Sequence, residues 1–151
     1  MKIATQIAAA QPVGVTPFDD GQEMDCFRDA ACAAAIWNRR TPSEVTTWLA
    51  RLDAALLPSG RAVMPVAAVK ENTMQLCDSA GMPAGPQRQW LIDDIADLAQ
   101  RFADVMNAPY VTVRLQAVTT NACRKFHLDA IKGRLVCTYR GVGTQYGTSA
   151  N

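Results

Sequence analysis

Hydrophobic and polar positions alternate with two different periods along this chain, and the change falls near residue 110. Before it, apolar residues recur every three or four positions. After it, they recur every second position. The first regime predicts helices that bury one stripe, the second predicts half-buried strands.

In the helical regime, Thr41-Pro42-Ser43-Glu44 predicts a helix start, with a capping threonine, proline at the first helical position and glutamate at the third. The stripe Val45, Trp48, Leu49, Leu52, Ala55 and Leu56 carries that helix to about Leu57, and Pro58-Ser59-Gly60 stops it. The stretch from Ala62 to Met82 is ambiguous and reads best as a helix restarting after Pro65 and ending at Gly81. Gln87 to Asn107 predicts a second strong helix. Trp90, Leu91, Ile95, Leu98, Phe102, Val105 and Met106 form its apolar side, Asp93, Asp94, Asp97 and Asp104 occupy the rest, and Asn107-Ala108-Pro109 closes it. Trp37, Trp48 and Trp90 read as core. The first forty residues carry less pattern: a turn-rich PVGVTPFDDG, then a short buried element ending near Arg39.

In the second regime, Tyr110 to Val118 is β-branched and alternating, Thr119 to Ala122 reads as a turn, and Cys123 to Ala130 as a second strand. After a turn at Lys132-Gly133, Arg134 to Arg140 predicts a third strand, with Leu135, Cys137 and Tyr139 on one face and Arg134, Val136, Thr138 and Arg140 on the other. Gly141 to Thr144 ends it. Helices first and antiparallel strands afterwards define an α+β domain: one domain over residues 1–151, mainly helical over 1–109 and stranded over 110–151. The sheet looks incomplete, and its free edge suggests a homodimer.

Composition fits one soluble domain, with 49% hydrophobic and 19% charged residues. No apolar run approaches the roughly 18 residues that span a bilayer, so no membrane role is expected. The start, KIATQIAAAQPVGV, looks like a weak signal peptide, but glutamines break its short apolar run. Five cysteines, an odd number without a Cys-x-x-Cys spacing, fit reduced thiols in a cytoplasm. The net charge of +1 hides an asymmetry. Nine basic and thirteen acidic residues give −4 over 1–109, whereas Arg114, Arg124, Lys125, Lys132, Arg134 and Arg140 against Asp129 alone give +5 over 110–151. Such a basic segment favours a small anionic ligand, a dicarboxylate or phosphate. Only Phe126 and Tyr139 could supply stacking platforms, which argues against nucleic acid.

The single histidine lies in that segment. In a strand, His127 and Asp129 project to the same side, and an imidazole with a carboxylate on one face is two-thirds of the 2-His-1-carboxylate triad that holds non-haem Fe(II). A zinc site using Cys123, His127 and Cys137 is the weaker metal reading, because Cys137 shares a face with apolar Leu135. A Cys123–His127 nucleophile lacks an orienting third group.

Val113 to Tyr146, VRLQAVTTNACRKFHLDAIKGRLVCTYRGVGTQY, together with AIWNR at Ala35 to Arg39, resembles the uncharacterised bacterial family catalogued as domain of unknown function 1826. The CRKFHLD and TYRGVGTQY blocks are its specific part. The pattern is also similar to Fe(II)/2-oxoglutarate dioxygenases of the prolyl-hydroxylase type. That resemblance implies the start of a double-stranded β-helix beneath the N-terminal helices. It implies His127 and Asp129 as metal ligands, Arg134 and Thr138 at the cosubstrate, Arg134 and Tyr139 at the reacting centre, and Fe(II) and 2-oxoglutarate as cofactors. It also implies that the family pattern runs past the position of Asn151 into a second histidine, so the expectation is an incomplete site, with loss of activity in this chain as one outcome. Val118 stands where those hydroxylases often carry a cosubstrate-binding tyrosine. The competing expectation is a non-enzymatic metal- or anion-binding protein.

Overall fold

The computed structural model describes residues 14–118 and 132–143, a mixture of helices and small sheets consistent with an α+β chain. Two compact units divide it, one holding the N-terminal residues to Arg39 and the other running from Arg40 to Gly147.

In the N-terminal unit, β1 (Val15–Phe18) and β2 (Ala34–Trp37) pair in parallel, Val15 opposite Ala34 and Phe18 opposite Trp37. Parallel strands need a crossover of a dozen or more residues, and here it contains the 3₁₀ helix Gly21–Arg28. Asp20 caps that helix by accepting from the Gln22 N–H at 2.9 Å, while Glu23 reaches back to the Asp20 N–H. The Phe18 and Trp37 rings stack with centroids 6.0 Å apart, and the Arg39 guanidinium lies 5.2 Å above the Trp37 ring. The short element expected before Arg39 is β2, but it is half-buried along its length and not buried. Gly14, at φ +86°, accepts from the N–H groups of Ala33 and Ala34, and a Cβ there would stand 3.2 Å from Ala31 O.

The second unit begins with α1 (Ser43–Arg51). Its cap is Pro42, not Thr41: the Pro42 carbonyl accepts from the Val45 and Thr46 N–H groups at 3.1 Å each, which moves the expected start by one residue. The helix also stops six residues short of Leu57. Leu52 is extended, and Asp53 accepts from the Ala55 N–H at 2.9 Å, diverting the chain into a 3₁₀ turn at Ala54–Leu56. β3 (Gly60–Pro65) follows, where the sequence suggested a break. A 3₁₀ turn at Val66–Ala68 then leads into α2 (Val69–Ser79), the helix expected after Pro65. Gly81, at φ +70°, ends it: the Met82 N–H bonds Cys77 O and the Gly81 N–H bonds Asp78 O, both at 3.0 Å. Arg88 ties the next helix to this end, donating to Met82 O at 3.0 Å and to Asp78.

α3 (Pro86–Met106) carries the stripe that organises the unit. Leu91, Ile92, Ile95 and Ala103 are buried with Val45 and Leu49 of α1, Val69 and Cys77 of α2, Met64 of β3 and Val111. Val111 belongs to β4 (Tyr110–Leu115), which pairs antiparallel with β3, Gly60 opposite Leu115 and Pro65 opposite Tyr110. β4 thus finds its described partner before it in sequence. The strand expected at Cys123–Ala130 lies outside the described residues. Arg134–Arg140, expected as a strand, belongs to no ladder among the described residues.

Candidate functional site

Residues 133–140 keep the alternation of a strand even without a ladder. Leu135, Cys137 and Tyr139 are half-buried, whereas Arg134, Val136, Thr138 and Arg140 are exposed. Two contacts fix which way the segment faces. Tyr139 packs on the core of the second unit, its hydroxyl donating to Asp94 Oδ2 at 2.5 Å and its ring meeting Trp90 edge-on at 6.5 Å and 83°. The Arg140 guanidinium donates to Leu52 O at 2.9 Å, satisfying a carbonyl just past the end of α1.

With Tyr139 turned inward, Arg134 and Thr138 share the outward face, four residues apart and so about 13 Å along an extended chain. Lys132 is exposed beside them. This face presents the cations Lys132 and Arg134 and the Thr138 hydroxyl to an anion, and Tyr139 is not part of it. His127 and Asp129, the expected metal ligands, lie outside the described residues, as does Cys123 of the zinc reading. Among the described residues, no three His, Cys, Asp or Glu side chains come close enough together to hold a metal ion.

Asp94 is the contributor that sequence reasoning left on the polar side of its helix. A signal was present: with Leu91 three residues before it, Ile95 next to it and Leu98 four after, Asp94 occupies a position inside the apolar stripe. A carboxylate there needs a partner, and Tyr139 provides one.

An open depression of about 400 Å³ lies elsewhere on the second unit, lined by Ser43, Glu44, Thr47, Trp48, Arg51 and Gln87. Its single cation and single carboxylate give it no net preference for an anion. The Cys77 thiol is fully buried in the core, and burial pushes its pKa up against the opposing pull of Arg88, so it is an inert packing group.

The arrangement defines a mixed α+β protein with a basic, strand-like segment strapped over its helical core. Residues 19–151 match the family described as protein of unknown function (DUF1826), and the chain belongs to that family. No curated protein and no solved structure matches it. No described helix is long and apolar enough to cross a membrane.

Proposed function

We propose that the chain carries the metal- and cosubstrate-binding strands of a non-haem Fe(II)/2-oxoglutarate-type oxygenase, built on the start of a double-stranded β-helix. His127 and Asp129 are its iron ligands, and Arg134 and Thr138 are its contacts to the anionic cosubstrate. The observation that supports this most is the order of the residues: His127-x-Asp129 stands five residues before an extended segment whose outward face carries Arg134 and Thr138. Imidazole and carboxylate suit Fe(II), and a guanidinium suits a carboxylate in bidentate contact. Bound iron supplies the oxygen chemistry, while the protein orients the reactants and sets the charge around them. In this reading Tyr139 is a positioning residue, because its contact with Asp94 fixes which side of the segment Arg134 occupies. A reducing cytoplasm is the matching setting.

A second reading is binding of a small anion without oxidation. The exposed cations Lys132, Arg134 and Arg140 favour it, as does the presence of a single histidine. One experiment separates the two. The protein is incubated with Fe(II), ascorbate and 2-oxoglutarate, and succinate is quantified alongside calorimetric binding of 2-oxoglutarate. Succinate formation abolished by His127→Ala supports the oxygenase. Binding that depends on Arg134, with no succinate at any iron concentration, supports the anion-binding protein instead.

A further inference from the structure

The N-terminal unit holds a feature that the proposed function does not use. Cys26 lies near the end of the 3₁₀ helix Gly21–Arg28, and Cys32 lies two residues before β2. Asp29 folds the chain back between them. Its N–H donates to Cys26 O at 3.2 Å, its own carbonyl accepts from the Cys32 N–H at 2.9 Å, and its carboxylate accepts from the Ala31 N–H at 2.9 Å. The reversal brings Cys32 close enough for its side chain to act on the Cys26 thiol. Both are partly exposed, so a small reagent can reach them. Burial first, then the neighbouring Cys32 and Glu23, raise the Cys26 pKa, which favours the protonated thiol at that cysteine. No third metal-ligating group joins them among the described residues.

We propose that Cys26 and Cys32 form a reversible dithiol–disulfide pair that responds to low-molecular-weight disulfides of the glutathione class. One cysteine, as thiolate, attacks the sulfur–sulfur bond of the oxidant, forming a mixed disulfide and releasing one small thiol. The second cysteine then attacks the mixed disulfide, so that the Cys26–Cys32 bond forms and the second small thiol leaves. Two electrons pass from the two cysteine sulfurs to the oxidant, and both protons end on the small thiols. The new bond closes the loop between the 3₁₀ helix and β2, the strand whose Trp37 stacks on Phe18. The thiolate is the nucleophile, so closure accelerates as pH rises.

The sequence makes the test direct. Trypsin cleaves after Arg28, so the two cysteines fall in separate peptides, 3–28 and 29–39. The full chain is equilibrated in buffers of graded reduced-to-oxidised glutathione ratio, alkylated and digested without reduction. The expected result is a linked pair of these two peptides that accumulates as the ratio falls and disappears on reduction. Cys26→Ser leaves Cys32 as a glutathione mixed disulfide, and Cys32→Ser leaves Cys26 in the same state, with unchanged far-UV dichroism showing that both variants fold. Two outcomes overturn the proposal: wild-type protein carrying glutathione on both cysteines with no linked peptide, or linkage of either cysteine to Cys123 or Cys137 in its place.

Discussion

Tyr139 and Asp94, 45 positions apart in sequence, meet through a 2.5 Å hydrogen bond from phenol to carboxylate. Trp90, one helical turn before Asp94, receives the same tyrosine ring edge-on. The two contacts separate by substitution. Tyr139→Phe keeps the ring and removes the donor, and because the bond is only partly buried it should lower stability by about 1 kcal/mol. Tyr139→Ala also loses the packing on Trp90 and should lower it by about 3 kcal/mol. Urea unfolding followed by tryptophan fluorescence measures both, and equal losses would show that the ring contributes nothing.

Leu49 is 2% exposed in the core, whereas Val63 on β3 is 71% exposed. Leu49→Ala should destabilise by about 3 kcal/mol through lost burial and a cavity, and Val63→Ala by no more than about 0.5 kcal/mol. Comparable shifts in the two urea midpoints would mean that β3 is covered in solution.

Asn107 ends α3 in the left-handed region at φ 48° and ψ 48°. The Ala108 N–H bonds Ala103 O at 2.9 Å, so this conformation is what closes the helix. Asn107→Gly should hold or slightly raise the melting temperature. Asn107→Val should lower stability by about 1–2 kcal/mol, because a β-branched side chain is strained there.

Lys70 donates to Asp93 Oδ1 at 2.7 Å, and Gln89 donates to both carboxylate oxygens at 3.1 Å. The Lys70 hydrogen bond first, then that of Gln89, hold the Asp93 carboxyl below its ordinary pKa. A folded-state pKa below the unfolded one contributes stability above the unfolded value of about 3.9, and that contribution is lost as pH falls through the folded pKa. The side chains are 61% and 48% exposed, so the pair contributes only a few tenths of a kcal/mol. An NMR titration should place the Asp93 midpoint below that of an ordinary aspartate. Lys70→Met and added salt should both move it upward.

Local chemistry made part of this architecture legible. α3 announced itself through a long apolar stripe and the Asn107-Ala108-Pro109 stop, and α2 through its restart after Pro65. β3 stayed hidden because Pro58, Gly60 and Pro65 punctuate it and exposed Val63 breaks its alternation, leaving Ala62 and Met64 as the inward residues. Its partner β4 lies beyond two helices, and nothing local specifies a pairing across that distance. The parallel β1–β2 pair was obscured for the same reason, with Pro17 adding a loop-like signal. In the candidate site, the face carrying Arg134 and Thr138 followed directly from period-two alternation. The inward anchoring of Tyr139 needed Asp94, a residue that its acidic neighbours Asp93 and Asp97 disguised.

Arg134 tests the functional reading without disturbing the core. It is exposed on the outward face, opposite the side anchored by Tyr139. Arg134→Met should therefore leave stability within about 0.5 kcal/mol of the parent. A guanidinium that grips a carboxylate in bidentate fashion contributes charge and geometry together, so its loss should weaken 2-oxoglutarate binding about tenfold or more, equivalent to about 1.4 kcal/mol. Arg134→Lys keeps the charge but not the fork and should recover only part of that affinity. Binding should also fall with ionic strength in the parent and much less in Arg134→Met, since the attraction is screened over about 10 Å at 0.1 M salt. Calorimetric titration of the three proteins at two salt concentrations checks all of this. Equal affinity in the parent and Arg134→Met would remove Arg134 from the site and direct the search for the anion's partner to Lys132 and Arg140.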